Sequence, residues 1–369
     1  MKFSCEKAIL QTAIQDASRA VSAHATMEIL KGLLFEAEDG HLSITGNNMQ
    51  IGIQCSVEAD IETAGKAVID ARIVGDIVRK LPDDIIKVSI NENMIVNITC
   101  AMSEFNITAL PAESFPSLPH VEADKSIALP QKLLRTMLSR TLFAVSENEN
   151  KMIITGALFE LEKNALTIVT LDGYRLALCR EPVETGENNS FSFVTPGGAL
   201  REVERMLEDT EDKQVSINLG SRHILFSADG KILIARLLEG EFFNYKKAIP
   251  AVRGHQYEMD TKTFLSGVER VSLLIDEKQK NPLRVRFGEE KVSLHCLTPL
   301  GRATDQFSCK GADEMEIGFN HRFLSDALKA VPDKEIRFES DGPFSPSLLL
   351  PLEGDSYLFM VVPVRLKEV

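Results

Sequence analysis

Alternating apolar and polar positions occupy three stretches of the chain, and each stretch predicts a β-hairpin. Residues 32–49 and 156–173 each contain two alternating runs separated by a short turn. The tripeptide Leu-Phe-Glu stands at 34–36 and again at 158–160, an offset of 124. A third, weaker copy begins at Pro282. Alternation with a period of two, broken by a turn, is typical of paired antiparallel strands.

Apolar residues spaced i, i+3, i+4 predict two amphipathic helices beside each hairpin. The first helix of each copy falls within residues 5–22, 130–146 and 260–275. The second helix falls within strand–helix–strand segments at 68–90, 193–217 and 316–338. Three elements that recur in the same order at consistent offsets indicate one module of about 125 residues written three times.

Pro-containing connectors at 109–120 and 237–250 separate the copies. We therefore expect three domains, at 1–123, 124–250 and 251–369. Because each module combines two helices with a largely antiparallel sheet, the fold class is α+β, with the helices on one face of the sheets.

The charge distribution divides helices from strands. The chain has 41 Lys and Arg against 54 Asp and Glu, a net charge of −13, which by itself disfavours nucleic acid as a partner. The six predicted helices nevertheless carry fourteen basic and eight acidic residues, so they total +6 and the remainder −19. For any single helix, basic residues on a solvent-exposed face are a sufficient explanation. The positive total over all six helices suits instead a protein that holds a polyanion on one side. With no Trp and four Tyr, duplex phosphates fit better than stacked single-stranded bases.

The six cysteines are scattered without a C-x-x-C pair, so buried reduced thiols are expected, with no metal and no cofactor. Because reduced thiols are typical of the cytosol, we expect a cytoplasmic protein. The N-terminus lacks signal-peptide features, and the sequence has no apolar run long enough for a membrane. No catalytic motif is present. Two other functions stay open: a repeat scaffold that binds only proteins, and an enzyme using Asp172 and Arg175.

Several segments resemble the bacterial DNA polymerase III beta subunits, the sliding clamps. The resemblance extends over the whole chain and is carried by MKF (1–3), LPAESFP (110–116), LDGYRL (171–176), EMEIGFN (314–320) and VVPVRL (361–366). It implies a head-to-tail homodimer that forms a six-domain ring of the processivity fold, with helices on the inner face and antiparallel sheets outside. Such a ring encircles duplex DNA without reading its sequence and performs no catalysis.

Module size supports two chains per ring independently. A compact module of 125 residues behaves as a sphere roughly 35 Å across, so three in a ring leave a hole of about 5 Å and six leave about 35 Å. A DNA duplex is about 20 Å wide. One chain is therefore too small to surround DNA, and two chains suffice.

The resemblance also implies a partner-peptide groove between the second and third domains. Its users would be the DNA polymerase III alpha subunit, the clamp loader and other proteins with a clamp-binding motif. The matching positions are Ile154, Leu171, Gly173, Tyr174, Arg175, Leu176, Phe243, Lys247, Ala248, Met360, Val362, Pro363, Val364 and Arg365. Leu171, Phe243 and Lys247 stand where the family commonly has Thr, Pro and Arg.

For DNA, the resemblance points to His24, Arg72, Asn148, Met152 and Ile153. His24 stands in place of an Arg and is mostly neutral at pH 7. Met152 and Ile153 replace aromatic residues, so stacking is lost there. The basic residues of the predicted helices extend this set of candidate DNA contacts by Arg79, Lys80, Lys132, Arg135, Arg140, Arg201 and Arg205.

Ring closure between chains involves, by the same resemblance, the segment 103–110 and a pair of leucines. Phe105 and Ile107 share one face of this segment, and Leu273 and Leu274 would face them from the other chain. The alternation predicts an edge strand that pairs between chains, or an ordinary strand of the sheet core.

Overall fold

The structure is a computed structural model that describes residues 1–22, 25, 27–162, 164–184, 190–251, 254–276, 281–311 and 313–366. It divides into two compact units. Unit 1 consists of Met1–Arg135 with Arg201–Leu237, and unit 2 consists of Thr136–Leu200 with Leu238–Val369. The units therefore do not follow the boundaries of the three sequence modules, because the middle module contributes to both.

Every segment predicted as a helix contains one, although the helices are shorter than the apolar pattern suggested. They are α1 Lys7–Ser18, α2 Ala71–Lys80, α3 Gln131–Thr141, α4 Gly197–Met206, α5 Thr261–Ser272 and α6 His321–Ala330. Side-chain caps fix several starts: Asp70 accepts from the Ile73 amide and Asp260 from the Thr263 amide. The buried residues of α1 are Leu10, Ala13, Ile14 and Ala17, which is the i, i+3, i+4, i+7 stripe of an amphipathic helix.

The strands follow the predicted hairpins. Along the chain they are β1 Lys2–Glu6, β2 Gly32–Glu38, β3 His41–Asn47, β4 Ile51–Glu58, β5 Asp60–Thr63, β6 Gly65–Asp70, β7 Ile85–Ile90, β8 Ile95–Cys100, β9 Ser103–Thr108, β10 Lys125–Pro130, β11 Gly156–Glu162, β12 Ala165–Leu171, β13 Arg175–Pro182, β14 Phe191–Pro196, β15 Gln214–Leu219, β16 His223–Ala228, β17 Lys231–Arg236, β18 His255–Asp260, β19 Leu283–Gly288, β20 Lys291–Thr298, β21 Gly301–Ser308, β22 Met315–Phe319, β23 Glu335–Ser340, β24 Ser347–Leu350 and β25 Tyr357–Val361.

Unit 1 contains two antiparallel sheets. Their orders are β5-β1-β7-β8-β9 and β10-β15-β16-β17-β4-β3-β2-β6. In the larger sheet β17, from the second module, pairs with β4, from the first, with Leu233 opposite Ile53. The sheet therefore continues across a module boundary.

Unit 2 repeats this arrangement. Its sheets have the orders β14-β11-β12-β13-β25-β24-β23-β18 and β21-β20-β19-β22. Here β13 of the second module pairs with β25 of the third, with Ala177 opposite Phe359. The core of this unit packs Phe264 and Val268 of α5 with strand residues such as Phe338. Each compact unit is thus defined by a sheet that continues from one sequence module into the next, and not by a single module.

Candidate functional site

A groove of about 810 Å³ opens on unit 2 beside the turn that joins β12 to β13. Ten of the fourteen predicted groove residues line it: Ile154, Leu171, Gly173, Tyr174, Arg175, Leu176, Phe243, Ala248, Met360 and Val362. Seven further residues complete the lining, namely Asn148, Lys151, Met152, Ile153, Asp172, Glu241 and Pro346. The groove has the size of an ordinary small-ligand or peptide site.

The groove has a buried apolar floor and an exposed apolar rim. Leu171, Leu176 and Met360 are nearly inaccessible and belong to one core cluster. On the rim, Tyr174 is 62% exposed and Phe243 54% exposed. Large apolar side chains that stay exposed around a concave apolar surface are typical of a protein-binding site.

The turn between β12 and β13 is shaped by Asp172. Its carboxylate accepts hydrogen bonds from the Tyr174 amide at 2.8 Å and the Arg175 amide at 3.0 Å. Gly173 has φ +94°, a conformation that costs other residues strain. The carboxylate also accepts from Nε of Arg175 at 2.9 Å. The Asp172–Arg175 pair, considered above as a catalytic candidate, therefore builds the turn that presents Tyr174 to the groove.

The remaining four predicted groove residues lie beside the groove and do not line it. Lys247 is exposed at the end of the short 3-10 helix Tyr245–Lys247. Pro363 is half-buried and Arg365 exposed. Val364 donates its amide to the Gly318 carbonyl at 2.7 Å, which turns this part of the tail towards β22.

Residues 148–153 form a groove wall that sequence reasoning missed. The resemblance predicted DNA contact for Asn148, Met152 and Ile153. The structure places all three in the groove lining, and their DNA contact stays a prediction. Met152 and Ile153 belong to an irregular 3-10 segment, Glu149–Thr155, which also contains Ile154, and Asn148 is the N-cap of this segment. Their closeness to Ile154 in sequence was the only available signal.

The connector after β17 is anchored on the sheet by Tyr245. This side chain is 6% exposed, and its hydroxyl donates to a Glu160 carboxylate oxygen at 2.5 Å. Burial raises the pKa of Tyr245, with the Glu160 hydrogen bond adding to the effect, so the hydroxyl stays protonated. The anchor fixes the neighbouring Phe243 and Ala248 at the groove.

The basic residues predicted to contact DNA separate into two classes. The exposed cation set comprises Arg72, Lys80, Arg135 and Arg201. Arg135 and Arg201 lie near Glu204, whose pKa is raised by burial while these arginines and Arg205 oppose the rise.

The other four are held in ion pairs. Arg79 pairs with Asp76 at 2.5 Å, Lys132 with Glu211 at 3.0 Å and Arg205 with Glu202 at 2.5 Å. These exposed pairs are weak, so the cations can still meet phosphate. Arg140 differs: its side chain is only 19% exposed and pairs with Glu181 at 3.3 Å. Arg140 is therefore less accessible to phosphate than the other cations, and its contact with DNA stays a prediction. His24 lies outside the described residues.

β9 and β21 end their sheets, and both present an open strand edge within the described residues. Phe105 is 38% exposed and most of β9 is exposed, so the alternative of a core strand is not met. Leu273, just beyond α5, is 83% exposed, whereas Leu274 packs against the core of unit 2. Leu273 is therefore the more accessible of the two, and a place at the junction between chains stays a prediction for both.

All six cysteines are buried and unpaired with one another. Among the described residues, no group of three or more His, Cys, Asp or Glu side chains is placed to hold a metal ion. None of the described helices is long and apolar enough to cross a membrane.

Three protein-family models match the chain in order. They are the N-terminal, central and C-terminal domains of the DNA polymerase III beta subunit, at residues 1–119, 128–244 and 246–365. The beta sliding clamp of Halalkalibacterium halodurans is 31% identical over 99% of this chain and 100% of its own length.

Solved structures agree along the whole chain. The DNA polymerase sliding clamp of Bacillus subtilis is 29% identical, has a TM-score of 0.96 and covers 100% of both chains. A sliding clamp from Bartonella birtlesii bound to griselimycin is 26% identical, with a TM-score of 0.94, over 99% of this chain and 100% of its own.

Proposed function

The chain belongs to the DNA polymerase III beta subunit family, the beta sliding clamps, and we propose that two copies close into a ring that encircles duplex DNA. The ring tethers the replicative polymerase and other replication or repair proteins through the groove. It acts as a processivity factor of a DNA polymerase, and its task requires topology and binding rather than chemistry.

The two junctions inside the chain support the proposed ring closure. In both, the last strand of one module (β17 or β25) pairs with the third hairpin strand of its neighbour (β4 or β13). The equivalent strands that have no such pairing within the described residues are β9 of the first module and β21 of the third. We propose that β9 of one subunit pairs with β21 of the other, which gives a head-to-tail dimer with two identical junctions.

The registers of these two pairings inside the chain also predict the register of the proposed pairing between subunits. Phe105 of β9 is equivalent to Leu233 of β17 and Phe359 of β25. Each of the three residues holds the same position in the register of the last hairpin of its module. Applying either internal register sets Phe105 opposite Ala303 of the partner subunit. Leu233 and Phe359 are fully buried, whereas Phe105 is 38% exposed. This difference supports the proposal, because pairing would bury Phe105 as its equivalents are buried.

Partner proteins dock in the groove. The buried floor and exposed rim suit a short peptide with Leu or Phe anchors and an acidic or polar residue. We propose that such peptides on the DNA polymerase III alpha subunit, the clamp loader and other clamp-binding proteins compete for it. Phe243→Ala tests this assignment: a labelled peptide with these anchors should bind at least about fivefold more weakly, since truncating an anchor residue costs over 1 kcal/mol. An unchanged affinity would remove Phe243 from the site.

DNA contact rests on the exposed cation set together with Arg79, Lys132 and Arg205. Contacts of this kind neutralise phosphate without reading bases, and they weaken as salt rises. Weak contacts suit a ring that slides. A repeat scaffold that binds only proteins remains the alternative, and it predicts that these cations can be changed without loss of function.

The three modules, at 1–123, 124–250 and 251–369, are the proposed domains of each subunit. The mass in solution tests the ring most simply. We expect about twice 40.9 kDa at micromolar concentration. A clean monomer there would contradict the dimer, since three modules leave no hole wide enough for DNA.

A further inference from the structure

We propose that β22 and α6 act as a brace that holds two walls of the groove in register, with Gly318 and Asp326 as positioning residues. Neither residue lines the groove. The inference rests on the proposed peptide-binding function and adds the residues that keep the site preformed.

The brace grips the β12–β13 turn through Arg175. Nη1 of Arg175 donates to an Asp326 carboxylate oxygen at 2.6 Å, and its guanidinium lies 4.7 Å from the ring centroid of Phe323. Tyr174 stacks on the same Phe323 ring, with centroids 5.8 Å apart and planes 23° apart. The rim residue Tyr174 and the arginine beside it are thus both supported by α6. Because the guanidinium also donates from Nε to Asp172, it bridges two carboxylates, and this restrains its position.

The brace grips the C-terminal tail through Gly318. Its carbonyl accepts the Val364 amide at 2.7 Å, and two residues earlier the Val362 amide donates to the Tyr174 carbonyl at 2.8 Å. A Cβ at Gly318 would lie 2.5 Å from the Val364 carbonyl oxygen and 2.5 Å from Cδ2 of Leu366. Any side chain at 318 therefore pushes the tail away, and the first atom is backbone, which cannot rotate aside.

Turn, tail and brace form a closed set of contacts. The turn holds the tail at Val362, the brace holds the tail at Val364, and the brace holds the turn at Arg175. Loosening the brace lets the two groove walls move independently, so a peptide must order them when it binds. Preorganisation of this kind strengthens binding without any direct contact to the ligand.

The test compares the affinity of a labelled synthetic peptide, with Leu and Phe anchors and one acidic residue, for the intact protein and its variants. We expect Asp326→Asn and Gly318→Ala each to weaken binding roughly tenfold, within the range of ordinary coupling between sites. Asp326→Glu should recover part of the loss. Glu269→Gln is the matched control: this half-exposed acid pairs with Lys329 of α6 at 3.0 Å and should bind as the parent does.

Two further readouts separate positioning from general damage. Dimer mass and thermal midpoint should stay unchanged in Asp326→Asn, whose side chain is 41% exposed. In a protein lacking residues 363–369, Gly318→Ala should cause no additional loss, because its effect passes through the tail. Parental affinity in both Asp326→Asn and Gly318→Ala would overturn the brace. Failure of the unaltered protein to bind the peptide would instead overturn the proposed function.

Discussion

Truncating Leu273 should weaken the dimer without harming the subunit. The side chain is 83% exposed in the single chain, so its apolar surface is available for burial at the junction. Complete burial of a leucine is worth about 1.5 to 3 kcal/mol, and 83% of that is about 1.2 to 2.5. Because a closed ring has two identical junctions, Leu273→Ala should cost about 2 to 5 kcal/mol per dimer. This corresponds to a dissociation constant roughly 30-fold to 4,000-fold higher.

The assay is sedimentation velocity over a dilution series, with thermal unfolding measured at concentrations where both proteins are monomeric. We expect a large shift in dissociation and almost no change in monomer unfolding. Leu274→Ala should behave in the opposite sense and destabilise the monomer, because Leu274 packs against the core. Phe344→Ala removes another exposed apolar side chain and should leave dissociation unchanged. Equal dissociation constants for the parent and Leu273→Ala would refute the burial of Leu273 at the junction.

Three further outcomes follow from the charges and buried groups. Changing the exposed cation set to Glu should abolish retention on circular DNA and leave the dimer mass intact. The same number of reversals on exposed strand cations, Lys66, Lys87, Arg286 and Lys291, should act much less, and equal loss in both would contradict a helical DNA surface. Arg140→Ala should lower the free energy of unfolding by about 1 to 3 kcal/mol in urea, since Glu181 loses its partner; an unchanged midpoint would contradict a stabilising role for this ion pair. Burial raises the pKa of Cys55 to about 12 and of Cys179 to about 11, so the folded state keeps protons that the unfolded state releases above about pH 8.5. The stability from these thiols is complete below that pH and should fall as pH rises towards 11 to 12, and a flat profile would contradict their burial.

The local pattern of the sequence was enough for the helices and hairpins, because amphipathic periodicity is set by neighbours in the chain. It could not supply the pairing of β17 with β4 or of β13 with β25. Strand pairing between modules depends on complementary edges far apart in sequence. For the same reason, the modules were visible in the sequence while the two compact units were not.

The groove residues were likewise only partly predictable from the sequence. The run from Leu171 to Leu176 and the tail at Val362 could be recognised from their family pattern. Residues 148–153 could not, because an irregular 3-10 segment has no periodic signal. The half-buried state of Arg140 was equally invisible, since a helix pattern does not reveal which cation meets a carboxylate on a neighbouring strand. The brace at Gly318 required coordinates, because only the tail's position explains the need for glycine.

Topological retention tests the central claim most directly. The protein is loaded onto a nicked circular duplex by its clamp loader, washed at high salt, and followed before and after the circle is cut once. An encircling ring should stay on the circle at salt concentrations that screen phosphate contacts, and should leave within minutes of linearisation by sliding off the ends. Retention that is unchanged by cutting, or lost from the intact circle as salt rises, would contradict a closed ring around DNA.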